Sequence, residues 1–170
     1  MALLDPLYRA FGNRLSPAGK PARLSILIYH RVLAEIDPIF PNEPTSTRFE
    51  QQILHLNNVF NVLPLHEAVQ RLQAGTLPAR AACITFDDGY ADNLSLATPI
   101  LKKHGLPATF FIATAYLNGG RMFNDTVIEA IRLSPLSTLN LDSLGFPTGQ
   151  ALLDWLRAAN QPFDITKVRQ

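Results

Sequence analysis

Two adjacent aspartates, Asp87 and Asp88, close the apolar run A-C-I-T-F and are followed by Gly89 and Tyr90. In a regular strand, neighbouring side chains point to opposite faces. Two adjacent carboxylates can share one cavity only where the strand has ended and the backbone turns, and Gly89 supplies that freedom. Close carboxylates repel, so the pair must hold a proton or a cation. One aspartate on a divalent ion, with the other free as a base, is a stable division of labour. The ion would bring the pKa of a bound water down to roughly 7, and the second carboxylate would take its proton. The plainer alternative is a turn, since Asp-Gly is a common turn dipeptide.

His30 ends another apolar run, L-S-I-L-I-Y. If both runs are parallel strands, their ends share a rim. His30 then faces the same pocket, or supports it as a hydrogen-bonding or core histidine. His55, His66 and His104 fall on or beside helical segments and read as structural or solvated. The single cysteine, Cys83, lies inside an apolar run and reads as a buried thiol without a disulfide partner. The 170 residues contain no G-x-x-x-x-G-K-[ST] loop, no G-x-S-x-G elbow and no H-E-x-x-H helix. One cysteine also excludes a cysteine zinc site.

The elements that must position these groups alternate in type. Residues 24–32 read as a buried strand, followed by a loop broken by Pro38, Pro41 and Pro44. Thr47 with Glu50 matches a capping box and opens a helix carrying Phe49, Ile53, Leu56 and Phe60. Residues 61–65 read as a short strand, 66–74 as a helix closed by Gly75, and 81–86 as the third strand. A helix with Leu94, Ala97 and Leu101 on one side follows, kinked at Pro99 and stopped by Gly105. Residues 108–117 read as a fourth strand, so 24–117 form parallel β/α units. Beyond them, 118–170 read as a helical or irregular insertion and tail: a helix from Asn124 or Asp125 to about Leu133, a loop or hairpin, and a last helix capped by Thr148. Residues 1–23 form an extension, where Leu4, Leu7, Tyr8 and Phe11 make one side of a short helix expected to cover a core.

Hydrophobic residues make up 47% and charged residues 17%, enough for a core and too ordered a mixture for wholesale disorder. A net charge of +1 without a Lys/Arg run argues against a nucleic-acid partner. No segment nears the ~18 apolar residues of a transmembrane span. Asp5, Pro6 and Arg9 interrupt any signal-peptide core, which leaves a cytoplasmic location as the default expectation.

The segments Y-H-R-V (29–32), I-T-F-D-D-G-Y (84–90), P-I-L-K-K-H-G (99–105) and P-A-T-F-F-I (107–112) together resemble the polysaccharide deacetylases of the NodB-homology type, carbohydrate esterase family 4. The resemblance implies an α/β fold, here the N-terminal part of a distorted (β/α)7 barrel that 24–117 leave incomplete. It implies removal of acetyl groups from an acetylated polysaccharide or oligosaccharide, one divalent metal (often zinc), and work at the cell envelope. By resemblance, Asp87 is the general base, Asp88 a metal ligand and the backbone N–H of Tyr90 an oxyanion donor. His30 resembles the histidine that ends the family's first strand. The family's second metal motif, H-[ST]-x-x-H, is missing, because no histidine follows His104. A catalytic zinc takes about three protein ligands, so one carboxylate with His30 makes a weak site. The expectation is an N-terminal portion of a deacetylase, inactive alone and holding metal weakly or not at all. The alternative is a non-catalytic carbohydrate-binding or interaction module on a partial barrel. A phosphatase built on the aspartate pair would lack a phosphate cradle.

Overall fold

In the computed structural model the chain runs α1 (Asp5–Leu15), β1 (Leu24–Tyr29), α2 (Ser46–Val59), β2 (Asn61–Val62), α3 (Leu65–Gln73) and β3 (Ala81–Phe86). A π-helical turn (Asn93–Ala97) leads directly into α4 (Thr98–Lys103), then β4 (Thr109–Phe110), a 3-10 turn (Thr114–Tyr116) and α5 (Phe123–Leu133). The structure describes residues 5–133. The chain divides into two units, 1–120 and 121–170, and α5 is the described part of the second. The hairpin and the Thr148 helix expected from sequence lie outside the described residues.

β3 organises the sheet, and all of its residues are buried. β1 pairs with it in parallel along its whole length, from Leu24↔Ala81 to Tyr29↔Phe86. β2 pairs in parallel with its first two residues and β4 with its last two. The alternation of a strand sorts its side chains onto two faces. Ala82, Ile84 and Phe86 join Val32, Phe49, Ile53, Leu56, Ala97 and Leu101 in one core. Ala81 and Cys83 join Ala22, Ala68 and Leu77 in a second. A strand buried on both faces reads as a continuous apolar run, which is why A-A-C-I-T-F gave correct bounds. Cys83 is the buried thiol expected, and burial raises its pKa.

Other bounds shift for physical reasons. β1 stops at Tyr29 and is not a buried strand over 24–32: Ile28 is 61% exposed, and residues past Tyr29 leave the ladder. Among the described residues only β3 pairs with β1, so its outer edge behaves as an edge strand. The fourth strand shrinks to Thr109–Phe110, because β3 ends at Phe86, level with Phe110. β2 likewise shrinks to two residues, and α3 begins at Leu65.

The helix cap moves as well. Thr45, not Thr47, is the N-cap of α2, its Oγ1 accepting from the Arg48 N–H. Glu50 does not close a capping box. Its carboxylate accepts from Lys103 Nζ at 2.8 Å and lies 2.6 Å from His104 Nε2, tying α2 to the end of α4. Those hydrogen bonds, Lys103 first, hold the Glu50 carboxyl below its usual range. His104 is therefore structural, as expected. The disturbance expected at Pro99 appears just before it, where the Thr98 N–H reaches back five residues to Asn93 O and the Thr98 hydroxyl donates to the same oxygen at 2.8 Å. α1 forms, but no residue in it is buried, so it does not cover a core.

Candidate active site

Parallel strands bring their C-terminal ends to one rim. The last registered pair is Tyr29↔Phe86, and the Asp87 N–H donates to Tyr29 O at 2.9 Å. Hence His30 and Asp87 are the next residues out on neighbouring strands, as the two apolar runs implied. Asp87 and Asp88 are partly buried and His30 is exposed. On the other side of β3, the Phe111 N–H donates to Phe86 O at 2.8 Å and brings the end of β4 to the same rim.

The backbone turns where the glycine suggested. The Gly89 N–H donates to Asp87 O at 2.9 Å, closing a three-residue turn around Asp88 at φ 72°. Asp88 and Arg80 are the non-glycine residues at positive φ among the described residues. A non-glycine residue there is disfavoured and is retained where its surroundings hold it. The Ala113 N–H reaches Asp88 O at 3.4 Å, and Gly89, itself at φ 73°, sits against Ile112.

That contact yields a first prediction. A Cβ at Gly89 would lie 2.8 Å from Ile112 Cδ1. Gly89→Ala should therefore lose about 1–2 kcal/mol in urea unfolding, from left-handed strain plus the clash. Adding Ile112→Val deletes that methyl but leaves Cγ2 at 3.2 Å, and should recover part of the steric share and none of the backbone strain. An unchanged midpoint for Gly89→Ala would show that the turn is not held as described.

Sequence reasoning missed a clamp behind this turn. Arg31 Nε meets Asp92 Oδ2 at 2.8 Å, and Asp92 Oδ1 accepts from the Val32 N–H at 3.3 Å. Asn93 Nδ2 donates to His30 O at 2.9 Å and to Asp92 Oδ1 at 3.2 Å. The Arg31 guanidinium also stands 4.8 Å from the Tyr90 ring centroid and 5.8 Å from that of Phe40. Three residues leaving β1 are thus bound to three following the aspartate pair. The available signal was an arginine beside His30 and a third aspartate beyond Tyr90, opposite charges at two strand ends assigned to one rim.

A cavity of about 220 Å³ flanks the turn, lined by Gly89, Tyr90, Asn93, Leu94, Thr98, Phe110 and Ile112. Asp87, Asp88 and His30 lie outside that lining, at the open rim. Such a rim can hold a water against a carboxylate with an apolar hollow beside it. A divalent ion fits less well. Among the described residues, no three His, Cys, Asp or Glu side chains are grouped to hold a metal ion. His55 lies at the edge of the Tyr8 ring and His104 against Glu50, while His66 is in the first turn of α3. The donor set present is short of the roughly three protein ligands of a catalytic zinc.

Comparison with known proteins finds one family over the N-terminal part of the chain. Residues 74–132 match the family model described as polysaccharide deacetylase. YxkH of Bacillus subtilis (strain 168), an inferred polysaccharide deacetylase, is 34% identical over 93 residues, 55% of this chain and 33% of its own length. The poly-beta-1,6-N-acetyl-D-glucosamine N-deacetylase of Staphylococcus aureus (strain MSSA476) is 32% identical over 93 residues, 54% of this chain and 32% of its own. The aligned part thus spans about a third of the length of these curated relatives. A solved de-N-acetylase from Aggregatibacter actinomycetemcomitans aligns with a TM-score of 0.48 at 27% identity, covering 57% of this chain and 40% of that one.

Proposed function

We propose that this chain, related through its N-terminal part to the polysaccharide deacetylases, carries the base-bearing rim of an enzyme that hydrolyses N-acetyl groups of a polysaccharide. The observation that carries the reading is the strained Asp87–Asp88–Gly89 turn at the C-terminal rim of β3, one residue beyond its pairing with β1. In β/α folds that rim is where ligands and reacting groups gather.

The chemistry assigned to the chain's own residues is acyl transfer to water. Asp87 accepts a proton as the water oxygen bonds to the acetamide carbonyl carbon. The backbone N–H of Tyr90 donates to the oxyanion of the tetrahedral intermediate. The C–N bond then breaks as the nitrogen takes the proton that Asp87 had accepted, and acetate and a free amine leave. The Arg31–Asp92 pair keeps Tyr90 and the turn in register with β1. Asp88 offers one carboxylate toward a divalent ion. The present residues do not complete that site, so no step is assigned to the ion. We propose accordingly that the chain by itself holds zinc weakly and does not turn over.

An exchange experiment tests the reading. The purified chain should retain far less than one zinc per molecule and release no acetate from β-1,6-linked N-acetylglucosamine oligomers above the blank. Its residues 24–117, exchanged for the matched stretch of the Staphylococcus aureus enzyme, should give a folded chimera that does release acetate. A folded chimera that binds the oligomer without releasing acetate would instead identify a carbohydrate-binding module. Turnover by the isolated chain would refute the proposed inactivity.

A further inference from the structure

A hollow between α1 and the body has no role in the proposed reaction. The helix is fastened at a few points only. Arg9 Nε donates to Asn58 O, Asn13 Oδ1 accepts from Arg80, and Gly12 packs against Arg80 so closely that a Cβ would lie 2.8 Å from its Cδ. Beside these fastenings a cavity of about 380 Å³ remains. Tyr8, Phe11 and Leu15 of α1 line it, with Ser25 of β1 and Val59 and Phe60 at the end of α2. The three α1 side chains are half exposed or more, so the hollow opens to solvent and a ligand can enter. It is larger than the cavity beside the aspartate turn and falls within the roughly 300–1,000 Å³ of small-molecule sites.

The ionisable groups of this lining are basic. Arg23, Arg80 and His55 border the hollow and no carboxylate does. They are spread along α1: His55 meets the Tyr8 ring edge-on at 6.0 Å, Arg80 lies against Gly12, and Ser16 Oγ holds the Arg23 backbone at 3.0 and 3.1 Å. Arg80 is a fixed cation. Its φ is 51°, its N–H donates to Ser16 O at 3.0 Å and its Nε to Val59 O at 2.7 Å. Strained non-glycine backbone gathers at ligand clamps, and Asp88, the other such residue among those described, stands at the candidate active site. Arg23 differs: it is exposed, and its guanidinium makes no hydrogen bond or ion pair among the described residues. Its fork of N–H donors is open to a carboxylate. Aromatic walls and an unpaired guanidinium select an apolar body with one negative charge. A neutral hydrocarbon would leave the arginine without a partner, and an inorganic anion would leave the rings bare. We infer that the hollow under α1 binds a small aromatic carboxylate, its rings against Phe11, Leu15 and Phe60 and its charged group on Arg23.

Titration calorimetry of the full chain with 1-naphthoate tests this directly. Binding should be saturable, with half-saturation at or below about 1 mM, as suits a ligand of this size. 1-Naphthamide keeps the rings without the charge and should bind about tenfold more weakly. Arg23→Gln and Phe11→Ala change exposed side chains and leave the Arg9, Gly12 and Asn13 attachments intact, so circular dichroism should be preserved in both. Arg23→Gln should weaken naphthoate binding by about tenfold through the lost charge-assisted bond. It should also shrink the preference for naphthoate over naphthamide, which general damage to the fold would not do. Phe11→Ala should weaken both probes by about fivefold through the lost ring contact. Leu94→Ala, at the cavity beside the aspartate turn, should leave binding unchanged. No saturable binding, equal affinity for the two probes, or undiminished naphthoate binding by either folded variant would each overturn the inference. So would a loss caused by Leu94→Ala in place of Phe11→Ala, because the ligand would then occupy the other cavity.

Discussion

Asp87→Asn, introduced into the active chimera, is expected to lower kcat/KM for acetate release by about 10²–10⁴-fold, the usual share of a general base. The change preserves shape and removes only the carboxylate's ability to take a proton. The backbone of residue 87 remains fixed by its N–H bond to Tyr29 O and by the Gly89 N–H on its carbonyl, neither of which involves the side chain. Fold and substrate binding should therefore persist, with the loss appearing in kcat and little change in KM. Thermal unfolding of the variant should coincide with that of the parent. A folded Asp87→Asn chimera within tenfold of the parent would remove Asp87 from the role of base. The same loss accompanied by a large rise in KM would make it a substrate-binding residue.

The parts of this site that were legible in sequence are those set by local chemistry. Six apolar residues ending in Asp-Asp-Gly fix a buried strand and a turn at its end, and β3 has those bounds. Placing His30 beside Asp87 needed one further assumption, parallel pairing, which the strand–helix alternation supplied. What local pattern could not convey was the supply of partners. The run after Leu24 is as apolar as β3, yet among the described residues β1 pairs with β3 alone, and Ile26 and Ile28, on the face that carries Cys83, stay exposed. The run from Ala108 is equally rich in β-formers, but β3 ends at Phe86, level with Phe110, so the residues beyond Phe110 have no strand residue of β3 to pair with.

Long-range polar contacts were hidden for a related reason. Thr47 and Glu50 have capping-box spacing, but Glu50 is drawn instead to Lys103 and His104, more than fifty positions away. Thr45, two residues earlier, takes the cap. Likewise the Arg31–Asp92 pair joins positions 61 residues apart, and only the shared rim of β1 and β3 makes them neighbours. Spacing rules describe competition within a segment. They do not report a stronger partner arriving from another element.

The second large effect lies directly beneath the aspartates. Phe86 has no exposed surface, and its ring stacks on Tyr29 at 5.4 Å and Phe110 at 5.0 Å while meeting Phe49 edge-on at 5.7 Å. It therefore joins β1, β4 and α2 at the layer that supports the rim. Phe86→Ala withdraws that ring from all three contacts and leaves a cavity that stacked neighbours refill poorly, at a cost of about 3–5 kcal/mol. Against a typical domain stability of about 5–15 kcal/mol, this approaches the whole margin. In urea titrations of the chain, the midpoint should fall steeply, whereas Leu94→Ala, at a side chain 75% exposed, should move it by less than about 0.5 kcal/mol. A Phe86→Ala loss below about 1.5 kcal/mol would mean that the aromatic layer is not what fixes the strand ends. The turn bearing Asp87 and Asp88 would then have to owe its position to the Arg31–Asp92 clamp and to its backbone bonds with Tyr29 and Ala113.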